Sequence, residues 1–69
     1  MSKESNRVDN IPVDGLQSGR HYKITAIGES VTGRFLRLQL SDGVLCVVLI
    51  SGKEMHIIGV PNITRIELV

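Results

Sequence analysis

The chain has 69 residues, 42% of them hydrophobic and 3% aromatic, with a formal net charge of +1. So short a chain is one domain that buries only about 60% of the surface its unfolded form exposes, and a charge this near neutral names no class of partner by itself. Cys46 is the sole cysteine, which excludes an intrachain disulfide and leads us to expect a reducing, cytoplasmic setting.

No apolar run approaches the ~18 residues that span a bilayer, and the opening stretch MSKESNRVDN lacks the apolar segment of a signal peptide, so a soluble intracellular protein is expected. A core of this size rarely supplies more than about 3 to 5 kcal/mol. His21, His56 and Cys46 show no paired ligand spacing, so neither a metal nor another cofactor is expected to add to it. Oligomerisation is the remaining staple.

Residues 1–19 are polar, contain Pro12 and Gly15, and show no helical or strand period; they read as a polar N-terminal tail, disordered over its first ten or so residues. Ile11, Val13 and Leu16 are placed to pin its last part onto the domain formed by residues 20–69. A first strand is expected from His21 to Ile27, with Tyr22, Ile24 and Ala26 on one face and Lys23, Thr25 and Ile27 on the other. Gly28 to Gly33 reads as a connection bracketed by glycines.

The strongest local signal is Phe35 to Ile50, FLRLQLSDGVLCVVLI. Asp-Gly between two apolar runs favours a two-residue type I′ turn, in which both central residues need positive φ. A turn at Asp42-Gly43 sets Ser41 opposite Val44, Leu40 opposite Leu45, Leu38 opposite Val47, Leu36 opposite Leu49 and Phe35 opposite Ile50. Strict alternation then gathers Leu36, Leu38, Leu40, Leu45, Val47 and Leu49 on a core face. It puts Phe35, Arg37, Gln39 and Ser41 outside with Val44, Cys46, Val48 and Ile50. Ser51-Gly52-Lys53 is expected as a three-residue loop that pairs Leu49 with Met55 and leaves His56 at the surface. Pro61 breaks the chain near Gly59 to Asn62, and Arg65 to Val69 reads as a last strand with Ile66 and Leu68 inward.

Charge is unevenly spread along this order. Arg20, Lys23, Arg34 and Arg37 against Glu29 give residues 20–37 a net +3, while the segments on either side each carry −1. The expected ligand is therefore single-stranded DNA or RNA, held on a basic sheet face. In that reading Arg20, Lys23, Arg34 and Arg37 meet phosphates, Gln39 lies beside them and Phe35 stacks on a base. The alternative is a protein-interaction adaptor or inhibitor, or a homo-oligomer, using Val44, Cys46, Val48 and Ile50 as an apolar interface. No catalytic residue is expected, since no motif sets a nucleophile beside a base and Cys46 lies among valines.

The expected fold class is all-β, a small five-stranded and strongly bent antiparallel sheet or barrel. Ile57-Ile58-Gly59-Val60-Pro61-Asn62-Ile63-Thr64-Arg65-Ile66 resembles the closing signature of Sm-like RNA-binding proteins, and Leu40-Ser41-Asp42-Gly43 resembles their early Asp-Gly turn. Ile58 stands where that family carries a basic residue, and the spacing from Gly43 to Gly59 is shorter than theirs. What the resemblance implies is thus an SH3-like or Sm-like closing geometry, with no RNA-contacting residue carried over. Tyr22 to Leu40 also looks like the first hairpin of OB-like single-strand binders.

Overall fold

The computed structural model describes residues 10–69, so the expected disorder of the first nine residues lies outside the described part. Within it the chain is all-β, as the sequence implies: β1 (His21–Ala26), β2 (Glu29–Ser41), β3 (Val44–Ser51), β4 (Glu54–Gly59) and β5 (Ile63–Leu68) form one antiparallel sheet in the order β4-β3-β2-β1-β5. Among the described residues β4 and β5 are the two edges, and no ladder joins them. Short 3-10 turns at Val13–Gly15 and Val60–Asn62 are the only other regular elements described. No helix among these residues is long and apolar enough to cross a membrane.

The core is Tyr22, Ile24, Phe35, Val47, Leu49 and Ile66, with Ile11, Val13 and Leu16 of the N-terminal segment packed against it. Burying a single large aliphatic side chain contributes about 1.5 to 3 kcal/mol, so the docked segment adds to a thin margin. Backbone bonds fix it as well. The Ile11 N–H donates to the Ile66 carbonyl (2.8 Å), Gly19 N–H to the Phe35 carbonyl (2.9 Å) and Phe35 N–H to the Arg20 carbonyl (2.8 Å).

The Asp42-Gly43 turn forms as read: both residues have positive φ (52° and 79°), and Ser41, Leu40 and Leu38 pair with Val44, Leu45 and Val47. Farther from the turn the register departs from strict alternation. Phe35 pairs with Leu49 and Arg34 with Ile50, because Leu36 is an extra residue bulged out of β2 between Phe35 and Arg37. The bulge turns over the part of β2 before it, so that Phe35, expected at the surface, joins the face of Val47 and Leu49 and is buried at 5% exposed. Leu38, Leu40 and Leu45 keep the face expected of them, but the hairpin carries them past the core, and Leu40 is 71% exposed with Leu38 and Leu45 also exposed.

Three further expectations are corrected. The segment from Glu29 to Gly33 is strand, not connection, because β1 and β2 are joined by a tight turn at Ile27 and Gly28, both at positive φ (50° and 76°). Gly33 faces the interior there, where an added Cβ would lie 2.8 Å from the Ile50 carbonyl oxygen, so glycine is what lets β3 come this close. The β3–β4 loop has two residues, Gly52-Lys53, rather than three, with Gly52 at φ 62° as a type II′ turn requires. That register pairs Leu49 with His56, turning His56 to the inner side, half-buried, and leaves Met55 and Ile57 exposed on the outer side. β5, finally, begins at Ile63 rather than Arg65.

A candidate polyanion-binding face

Alternation along β1, β5 and β2 fixes which polar side chains share the outer face. On β1 they are His21, Lys23 and Thr25, opposite Arg34, Thr32 and Ser30 of β2. On the other flank Lys23 faces Glu67 and Thr25 faces Arg65 of β5. Arg37 and Gln39 continue this face along β2, since Arg37 pairs with Val48 and Arg34 with Ile50, two residues apart on β3. The bulge at Leu36 is what brings both arginines to one side.

Local bonds hold parts of this surface in place. The Arg37 Nη2 donates to Gln39 Oε1 at 3.2 Å, which orients the guanidinium. The hydroxyls of Thr25 and Ser30 bond each other at 3.1 Å, and Thr64 Oγ1 donates to the Thr25 carbonyl at 3.2 Å. Arg65 Nε lies 3.4 Å from Glu67 Oε2. Among the described residues Lys23 and Arg34 have no ion-pair partner, and both are exposed.

Of the residues expected to meet a nucleic acid, Lys23, Arg34, Arg37 and Gln39 are thus brought together. Arg20 is not: it lies just before β1, with its Nη1 donating to Gln17 Oε1 at 3.4 Å. Phe35 is excluded from any stacking role, because its ring packs edge-on against Tyr22 inside the core, centroids 6.3 Å apart and planes at 82°. The Tyr22 hydroxyl is itself engaged, accepting from the Gln17 N–H at 2.9 Å. Thr25 shares this face with Lys23 as expected, and Arg65 and the hydroxyls of Ser30 and Thr32 join it through pairings that only the register reveals.

The expected apolar interface is also redrawn. Cys46 and Val48 are buried, Ile50 is half-buried and only Val44, at 40%, is open. Exposed apolar surface lies instead at Leu38, Leu40 and Leu45, on the opposite side of the hairpin end, and at Met55 and Ile57 of β4. A cavity of about 360 Å³ between the docked segment and β5 is lined mainly by Ile11, Val13, Val60, Ile63 and Ile66, and holds no ionisable side chain. Among the described residues no group of His, Cys, Asp and Glu is placed to hold a metal ion. Comparison with protein-family models, curated proteins and solved structures finds no match to this chain.

Proposed function

We propose that the protein is a non-enzymatic binding module that holds single-stranded DNA or RNA by its phosphates on the outer face of β1 and β2. One observation supports this above the others: Lys23, Arg34 and Arg37 share an exposed face, and the first two lack an acidic partner among the described residues. Cations of this kind neutralise phosphates and release counterions, which gives affinity that falls as salt rises. With Phe35 in the core no aromatic platform accompanies them, so the binding is tolerant of base sequence.

The test is an anisotropy titration of a labelled mixed-sequence oligonucleotide pool from low to physiological ionic strength. Binding is expected at low salt, with a log–log slope that shrinks by about 0.7 for each of Arg34→Ala and Arg37→Ala. A flat titration at the lowest salt removes the reading.

A second reading, a protein-interaction adaptor, is favoured by the leucines at the end of the β2–β3 hairpin, where Leu40 is 71% exposed and pairs across the ladder with exposed Leu45. An apolar segment of another protein is the occupant it calls for. Its mark is a flat oligonucleotide titration together with a protein contact that Leu40→Ser abolishes.

A further inference from the structure

The two edges of the sheet are treated differently. At β5 the chain covers its own edge, the Ile11 N–H donating to the Ile66 carbonyl at 2.8 Å, and the N-terminal segment packs alongside. At β4 nothing among the described residues pairs with the second side. Between Met55 and Gly59 β4 also lacks the devices that protect exposed edges, having no lysine, proline or bulge, and it carries Met55 at 53% and Ile57 at 50% exposed.

The phase of the ladder says which backbone groups are open. Ser51 and Glu54 flank the two-residue turn and exchange hydrogen bonds across it, and hydrogen-bonded and open pairs alternate from there. Glu54, His56 and Ile58 therefore spend their N–H and C=O groups on β3. Met55 and Ile57 aim both of theirs at the empty side, and Gly59 its N–H, since the Gly59 carbonyl is the N-cap acceptor of the Val60–Asn62 turn.

We infer that β4 pairs antiparallel with β4 of a second copy, about a two-fold axis through Ile57. This register sets Ile57 against the partner's Ile57 and Met55 against the partner's Gly59, so both outward groups of Ile57, the Met55 carbonyl and the Gly59 N–H are used, and the Met55 N–H meets a Gly59 carbonyl that also accepts within its own turn. It also seats the large methionine opposite the residue with no side chain. Shifting the axis to His56 would leave Gly59 facing the partner's turn and set two imidazoles against each other. A heterologous join of β4 to β5 is obstructed by Ile11, so the assembly closes at two copies.

In such a pairing the two-fold axis stands perpendicular to the sheet, so the outer faces of both copies lie on the same side. The Arg34 and Arg37 sets then sit five strand spacings apart, about 24 Å along the sheet. The pairing is argued from the edge alone and stands whether or not that face takes a polyanion.

Sedimentation equilibrium across a concentration series tests it. The mass is expected to rise from 7.6 kDa to twice that value and no further. Ile57→Lys, which places a charge at the axis without touching the β3 ladder, is expected to hold the monomer mass with an unchanged circular dichroism spectrum. Amide exchange supplies a second readout that needs no variant: the N–H groups of Met55, Ile57 and Gly59 gain protection as concentration rises, while those of His56 and Ile58 are protected throughout. A monomer mass at the highest concentration, a dimer indifferent to Ile57→Lys, or exchange at Ile57 that ignores concentration would each overturn the inference.

Discussion

Arg34 and Arg37 stand three positions apart on β2 yet on the same face, because Leu36 is bulged out of the ladder between them. In an unbroken strand that spacing would put them on opposite sides of the sheet. The Leu36 carbonyl, displaced from the β2–β3 ladder, accepts the Ser18 hydroxyl at 3.1 Å, so the docked N-terminal segment helps to hold the bulge. Deleting Leu36 is expected to leave an unbroken ladder in which Phe35 still faces Leu49 and Arg37 still faces Val48, while the Ser18 hydroxyl loses its acceptor. The chain should keep a cooperative thermal transition, destabilised by about 0.5 to 1.5 kcal/mol for the lost hydrogen bond.

Phe35 separates a structural role from a binding one. Its truncation to alanine costs about 3 to 5 kcal/mol in a core, comparable to everything a domain of this size has. Phe35→Ala should therefore be unfolded by circular dichroism. Phe35→Leu, which keeps most of the volume, should fold with a lower urea midpoint and unchanged oligonucleotide affinity, whereas loss of affinity in a folded Phe35→Leu would restore a stacking role.

Gly33 is replaceable only at a cost. A Cβ there would meet the Ile50 carbonyl oxygen at 2.8 Å and its carbon at 3.1 Å, and neither is the end of a flexible side chain. Gly33→Ala is expected to destabilise by roughly 1 to 3 kcal/mol, as overpacking does, seen as a drop in Tm of about 4 to 8 °C for each kcal/mol.

Ile27 offers the opposite change. A β-branched residue at φ 50° is a backbone outlier, and at 73% exposed its side chain gains little by being there. Left-handed backbone costs an L-residue on the order of 1 to 2 kcal/mol, less for asparagine. Ile27→Asn makes the Asn-Gly pair that type I′ turns favour. It should raise stability by about 1 kcal/mol, read as a higher urea midpoint at unchanged m-value.

These four positions also mark where the sequence speaks and where it does not. Asp42-Gly43 announces its turn because aspartate and glycine both suit positive φ, and the pairing from Ser41 to Leu38 follows. Ile27-Gly28 makes the same turn with a residue that disfavours it, so Gly28 to Gly33 reads as a loop. Nothing in the string Phe35-Leu36-Arg37 signals a bulge. Since period-two reasoning assumes an unbroken ladder, one extra residue is enough to send Phe35 inward, while Leu40 keeps its expected face and is exposed because the hairpin outruns the core. For the candidate face, Lys23, Arg34 and Arg37 are legible as a basic excess, whereas the company of Arg65 and the loss of Phe35 depend on pairings between distant strands.

Past Leu38 the hairpin runs beyond the core, and few buried contacts are lost when its closing pairs come apart. That tip can open and re-form while Val47 and Leu49 stay locked, so its amides should take up deuterium long before the rest of the domain unfolds. The molecule is thus a stiff body with a breathing end. Anything that grasps the leucines there must first quiet them, and surrenders part of its affinity in doing so.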